Sequence, residues 1–314
     1  MTELLTAALA GQRRALARVL SLVENGSEQS REWIALLYPH TGQAQIIGIT
    51  GAPGSGKSTL VAQIAAEYRR RGLTVGIVAI DPSSPFSGGA LLGDRIRMRA
   101  LSGDPGVFIR SMATRGSLGG TARGTSDVVM VLDACGYRRI LIETVGAGQT
   151  EVDIARTAHT TLVIQAPDMG DEVQALKAGL LEIADILIVN KADQLGADRT
   201  VAILQAMLDL RDDPLAPTWR PPVLKTVAIA GQGAAEAVDA IERHVAYLAQ
   251  SGRLRERQRA RLANELQTLL REELLRRALA HIGSERYQAL IERIISHETD
   301  PYSAAQELLR EIQI

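Results

Sequence analysis

The sequence predicts an α/β fold: a doubly wound, mostly parallel sheet with a helical N-terminal extension and a C-terminal helical arm. Three observations carry this. Short continuous runs of Ile, Val and Leu recur through the middle of the chain, as in strands buried on both faces. Helical patterns separate most of these runs, the alternation a parallel sheet with crossover helices requires. The first run leads into a glycine-rich turn and then a helix, the arrangement that presents backbone N–H groups to an anion.

The chain of 314 residues suits one large domain with extensions. Hydrophobic residues make up 46%, enough for a core and too patterned for disorder. A formal net charge of −1 gives no whole-chain field toward nucleic acid or an anionic membrane, so neither is expected as a partner. The single cysteine, Cys135, excludes an intramolecular disulfide and fits a reducing compartment. It is expected to be a buried small hydrophobe near a helix end. No basic stretch followed by an apolar core opens the chain, and no apolar run is long enough to span a membrane. These features predict a cytoplasmic protein.

Residues 1–42 read as helices. Leu9, Leu16, Leu20 and Val23 recur at helical spacing with Arg13, Arg14 and Arg18 between them. Asn25-Gly26 is a stop signal, and a second piece runs from Ser27 to Leu37 before Pro39. Residues 43–250 hold the alternating domain, with strands expected at Ile46–Thr50, Val75–Ile80, Val107–Arg110, Ile140–Glu143, Thr161–Gln165, Ile186–Asn190 and Val223–Ala228. Residues 251–314 form a charged helical region. Leu262, Leu266, Leu269, Leu270, Glu273, Leu274 and Ala278 mark one side of its first helix, with only Glu273 breaking the apolar run, and Glu272→Arg276 and Glu273→Arg277 are i,i+4 pairs that support a solvated face. This region is either a cap on the main domain or an arm that pairs with a second subunit.

The glycine-rich turn reads Gly51-Ala52-Pro53-Gly54-Ser55-Gly56-Lys57-Ser58-Thr59, the G-x-x-x-x-G-K-S pattern of a phosphate-binding loop in its strand–turn–helix setting. It makes the fold a P-loop NTPase. Lys57 would reach the β- and γ-phosphates, and the Ser58 hydroxyl would bind Mg²⁺.

Asn190-Lys191-Ala192-Asp193 follows the apolar run Ile186–Val189, placing N-K-x-D at a strand's carboxyl end. The Asp193 carboxylate can accept from guanine N1–H and N2–H₂, a donor pair that adenine lacks. Binding ATP would leave that carboxylate desolvated and unpaired. Asn190 can donate and accept near the purine, and the Lys191 stem can lie over the base. Val227-Ala228-Ile229 follows the next strand and could supply a backbone N–H to guanine O6.

Mg²⁺ at a triphosphate prefers an oxygen shell in which carboxylates hold waters. Asp81 in Asp81-Pro82-Ser83-Ser84-Pro85, Asp94 in the following glycine-rich segment, and Glu143 in Glu143-Thr144-Val145-Gly146 are the candidates. Each, taken alone, also reads as a cap or turn residue. The last segment has the form of a D-x-x-G switch with Glu for Asp. Gly146 could sense the γ-phosphate through its N–H, and Gln149 could orient the attacking water. Arg95, Arg115 and Arg123 are candidates for a transition-state arginine.

Taken together, these segments resemble the MeaB/ArgK family of P-loop GTPases, which includes the methylmalonic aciduria type A proteins. The matching stretches are Gly51–Thr59, Asp81–Pro85, Glu143–Gln149, Gly170–Gly179 and Asn190–Asp193, in order and with compatible spacing. The resemblance implies a G-protein chaperone of an adenosylcobalamin-dependent acyl-CoA mutase. Such a protein binds GTP or GDP with Mg²⁺ and hydrolyses GTP. It gates cofactor loading from an adenosyltransferase and helps remove inactivated cofactor, while the cobalamin itself is bound by the mutase. It implies a homodimer joined by the C-terminal arm. It maps the Mg²⁺ environment onto Ser58, Asp81, Asp94 and Glu143, and an additional switch onto the segment from about Pro167 to Gly179, with Asp171 and Lys177 as polar contacts. The family's guanine loop is usually Ser-Ala-Leu-like, so for Val227-Ala228-Ile229 only the backbone role carries over. The client, whether methylmalonyl-, isobutyryl-, ethylmalonyl- or 2-hydroxyisobutyryl-CoA mutase, is left open. Two other readings compete. A metal-insertion GTPase would call for a His/Cys cluster, whereas His40, His159, His244, His281 and His297 are scattered. A small-molecule P-loop kinase would leave Asn190–Asp193 unexplained.

Overall fold

A computed structural model describes residues 2–24, 26, 28–82, 101, 103–114, 120–144, 150–167, 181–210 and 219–311. The chain divides into two compact units, Met1–Gln258 and Arg259–Ile314.

The first unit is built on a seven-stranded sheet: β1 (Gln45–Gly51), β2 (Val75–Pro82), β3 (Val107–Thr114), β4 (Arg139–Thr144), β5 (Thr160–Gln165), β6 (Ile186–Asn190) and β7 (Val223–Thr226). The order across the sheet is β3-β2-β4-β1-β5-β6-β7, and every pairing is parallel. All of β1, β5 and β6 is buried, which is why these strands appear in the sequence as unbroken apolar runs. The next helices after β1 (Lys57–Arg70) and β4 (Thr150–Thr157) cover opposite faces of the sheet, so the phosphate loop after β1 opens at the crevice where ligands collect in this architecture.

Alternation along each strand supplies both faces. Ile47 and Ile49 of β1, Ile77 of β2 and Leu141 of β4 join one core with α4 (Lys57–Arg70) and α8 (Ala234–Gln250). On the opposite face, Ile46, Val78, Ile140 and Ile142 pack with α5 (Gly120–Ala134) and α6 (Thr150–Thr157). Val163, Leu187 and Val189 extend that face under α7 (Ala197–Asp209). The sheet is therefore doubly wound, as the sequence predicts.

The N-terminal region forms α1 (Glu3–Leu9), α2 (Arg13–Glu24) and α3 (Glu28–Leu37), followed by a 3₁₀ turn at Tyr38–His40. Leu9 and Leu16 share a helical period in the sequence but lie on separate helices. The chain turns at Gly11, whose φ of +81° no helix accommodates. α2 is fastened to β3 at both ends. Arg13 donates to the Val107 carbonyl at 2.6 Å, and Arg110 pairs with Glu24. Cys135 follows α5 and is half-buried, and burial pushes its thiol up to about 11. The strand expected to reach Ala228 stops at Thr226, and Ala228–Ala230 forms a 3₁₀ turn instead. Its cause lies in the site: the Asn190 side chain captures the Ala228 N–H, which cannot then continue a ladder.

The second unit contains most of α9 (Arg253–Ile282), with α10 (Ser284–Ile295) and α11 (Pro301–Glu311). Asp300 caps α11 by accepting from the N–H groups of Tyr302 and Ser303. Arg286 and Arg293 of α10 both pair with Glu307 of α11. Leu262, Leu266, Leu269, Leu270 and Leu274 of α9 are all exposed. No helix among the described residues is long and apolar enough to cross a membrane.

Candidate nucleotide site

Two glycines of the phosphate loop are required by close approach. Gly51 has a φ of +140°, and a Cβ there would lie 2.0 Å from the Ile164 carbonyl oxygen. Gly56 has a φ of +89°, and a Cβ there would lie 2.3 Å from Asn190 Nδ2. The loop thus threads between β5 and the end of β6 with no room for a side chain at either point. Lys57 begins α4 and is buried, its Nζ donating to the carbonyls of Gly51 at 2.8 Å and Ala52 at 2.9 Å. These bonds hold an ammonium inside the curve of the loop. Ser55 is fully buried, and its hydroxyl has no hydrogen-bond partner among the described residues.

Glu143 lies near the end of β4 and is buried. Its Oε1 accepts from the Ser58 hydroxyl at 2.6 Å, a short charge-assisted contact. Two residues expected to serve one cation therefore sit in direct contact although they are far apart in the chain. Asp81 occupies the second-last position of β2, the strand beside β4. Asp94, Gly146, Gln149, Asp171 and Lys177 lie outside the described residues, as do Arg95 and Arg115, and nothing is described of the Arg123 side chain.

At the base-reading motif, Asn190 ends β6 and is buried. Its Oδ1 accepts from the Ala228 N–H at 3.1 Å and from the Thr226 hydroxyl at 3.0 Å. Its Nδ2 donates to the Ser55 carbonyl at 2.8 Å. Lys191 adopts a φ of +58°, a sparsely populated conformation for a residue with a side chain. That turn is supported by the Ala192 N–H donating to Thr226 O at 3.0 Å. Asp193 is exposed beyond it. Val227 is half-buried, Ala228 is buried, and Ile229 is 87% exposed.

Two connections here have no signature in the sequence. One is the Asn190 bridge to the phosphate loop. The other is a buried contact from the Thr144 hydroxyl to that of Thr50, 3.2 Å, beside the Glu143 contact. Threonines at strand ends are too common to single out by eye.

A polar cluster lies at the other end of the sheet. Asp185 accepts from Arg257 Nη2 at 2.7 Å and Nη1 at 2.9 Å, and from the Thr161 N–H at 2.9 Å. His244 Nε2 is 3.3 Å from the same carboxylate, and its Nδ1 is 2.9 Å from the Thr160 hydroxyl. Desolvation holds the His244 imidazole down at about 4, against the opposing pull of Asp185. His159 Nδ1 accepts from the Ile46 N–H at 3.1 Å. Both buried histidines thus have structural contacts.

Comparison with known proteins agrees with this architecture. Residues 16–282 match the family model described as methylmalonyl Co-A mutase-associated GTPase MeaB. A Pyrococcus abyssi protein named as a GTPase is 51% identical over 311 residues, covering 99% of this chain and 96% of the relative. The GTPase ArgK of Escherichia coli is 34% identical over 285 residues, covering 88% of this chain and 86% of that protein. The mouse mitochondrial methylmalonic aciduria type A homolog is 32% identical over 326 residues, covering 98% of this chain and 78% of its own length. The crystal structure of an LAO/AO transport system kinase superposes with a TM-score of 0.73 at 26% identity, covering 99% of this chain and 97% of that one. With the phosphate loop, the N-K-x-D turn and the parallel sheet in place, the chain belongs to the MeaB family of P-loop GTPases.

Proposed function

We propose that this protein is a GTP-hydrolysing chaperone of an adenosylcobalamin-dependent acyl-CoA mutase, gating the loading and replacement of the mutase cofactor. The observation that carries the client assignment is the family match, whose description names a methylmalonyl-CoA mutase association and which spans most of the chain.

The residues present fit a guanine nucleotide with a hard divalent cation. Gly51 and Gly56 let the loop backbone curl closely against Ile164 and Asn190, the tight turn a phosphate cradle requires. Among the described residues the buried Ser55 hydroxyl of that loop has no hydrogen-bond partner. Ser58 and Glu143 offer the oxygen donors Mg²⁺ takes, either directly or through water. Bound Mg²⁺ would supply positive charge against the phosphates.

The protein's own residues would then act as follows. Lys57 exchanges the carbonyls of Gly51 and Ala52 for phosphate oxygens, a short motion of an ammonium already inside the loop. Ser58 would offer its hydroxyl oxygen to the cation, and Glu143, which accepts the hydrogen bond of that hydroxyl, would hold a water of the cation's shell. Asp193 accepts from the guanine N1–H and N2–H₂ edge, while the Lys191 stem flanks the base. The Ala228 N–H is bonded to Asn190 and the Val227 N–H to the Gln232 carbonyl, so the guanine O6 contact would fall to the Ile229 N–H of this turn. From the resemblance alone come the roles of Asp81 and Asp94 around Mg²⁺, Gly146 at the γ-phosphate, Gln149 at the attacking water, and Asp171 and Lys177 in a further switch. The homodimer through the C-terminal arm and transfer from an adenosyltransferase come from it likewise.

Nucleotide-dependent association tests this reading. The protein, loaded with GDP or with a non-hydrolysable GTP analogue, is titrated against a purified cobalamin-dependent acyl-CoA mutase. A difference in affinity between the two loaded forms is the expected result. Absence of binding in both forms, to every such mutase tested, would refute the client assignment.

A further inference from the structure

β4 ends with Glu143 followed by Thr144, and consecutive side chains on a strand leave opposite faces of the sheet. Glu143 reaches Ser58 on the α4 side. Thr144 donates to the Thr50 hydroxyl on the other side, oxygen to oxygen 3.2 Å. Ile49 is paired with Glu143 in the β1–β4 ladder, so Thr50 and Thr144 meet one step further along. Thr50 immediately precedes the phosphate loop, and Ser58 immediately follows its lysine. Two consecutive residues of β4 therefore hold the two ends of that loop, one on each face of the sheet.

The two contacts differ in what nucleotide binding asks of them. The Ser58 hydroxyl and the Glu143 carboxylate are both oxygen donors that a hard cation would engage, so their contact would be drawn into the loading of the site. Thr50 and Thr144 are 0% and 1% exposed, and neither is a ligand in the reading above. Their contact can persist through the cycle. We propose that Thr144, through its hydroxyl contact with Thr50, is a positioning residue for GTP hydrolysis. It keeps the end of β4, and with it Glu143, in register with the phosphate loop through the nucleotide cycle. This rests on the GTPase reading of the site. Valine has nearly the shape of threonine without the hydroxyl, so it removes the contact and leaves the partner hydroxyl buried without it.

The test compares Thr144→Val, Thr144→Ser and Thr50→Val with the wild-type protein in GTP turnover, fluorescent-GDP binding and thermal unfolding. Displacing Glu143 relative to the loop should lower kcat about tenfold in both valine variants. KM and GDP affinity should stay within about twofold, since ground-state contacts are retained. Thr144→Ser, which restores the hydroxyl, should recover kcat. If either valine variant fails to fold, the other tests the same bond from its opposite partner. Unchanged kcat in a folded valine variant overturns the proposal. So does a parallel loss of kcat, GDP affinity and melting temperature, which would make the contact purely structural. Lack of GTP turnover in the wild-type protein would overturn the GTPase reading itself, and this role with it.

Discussion

The side-chain amide of Asn190 donates to the carbonyl of Ser55 at 2.8 Å, joining the base-reading turn to the phosphate loop. The same side chain accepts from Ala228 N and Thr226 Oγ1, so one buried residue holds three segments of the site together. Removing it leaves buried donors and an acceptor without partners. Asn190→Ala should lower unfolding stability by about 1–3 kcal/mol and weaken GDP binding in the same variant. Denaturant unfolding and fluorescent-GDP titration check both, and a variant that retains wild-type stability would contradict the bridging role.

Gly56 is squeezed by that same amide. A Cβ would press on Asn190 Nδ2, in a backbone conformation that side chains disfavour. Gly56→Ala should therefore cost about 1–3 kcal/mol of stability and disturb nucleotide binding through Asn190. Gly54→Ala is the control, because φ is positive there but a Cβ would meet nothing within 4 Å. The same losses in both variants would show that backbone strain alone, and not the Asn190 contact, decides the outcome.

Asp193 is exposed. An asparagine there presents a donor where guanine also donates, and matches the C2 carbonyl of xanthine. Asp193→Asn should shift the GTP-to-XTP affinity ratio by roughly tenfold or more toward XTP. Competition binding reads the ratio directly, and an unaltered ratio would remove Asp193 from the base pocket.

The His244 imidazole carries a stability signature. Burial lowers it from the ordinary 6.5 to about 4, so between these values the unfolded chain binds a proton that the folded chain does not. Stability from this group is fully present above pH 6.5 and is lost as pH falls toward 4. Its immediate surroundings are Asp185, Arg257, Thr160 and the ring of Trp219. In His244→Gln, the pH slope of the unfolding free energy across that window should flatten. An unchanged slope would mean that other groups produce it.

The sheet was readable in the sequence because its central strands are buried on both faces. Runs such as Ile186–Asn190 have no polar alternation to confuse with a helix. The phosphate loop and the N-K-x-D turn were readable because their chemistry requires particular residues at fixed spacing. What spacing does not encode is which side chains meet across strands. Asn190 to Ser55 spans 135 residues, and Thr144 to Thr50 spans 94. Both depend on strand order, which only the assembled sheet supplies. The misplacement of Ala228 has the same origin, since a side chain from another strand takes its N–H. The break at Gly11 was missed because apolar period alone carries across a turn.

GTP turnover measured with and without a purified cobalamin-dependent acyl-CoA mutase tests the chaperone function most directly. The expected result is turnover that the mutase accelerates, with the acceleration lost in Glu143→Ala. GTP turnover that no such mutase alters would contradict the chaperone function and leave a GTPase with a different client.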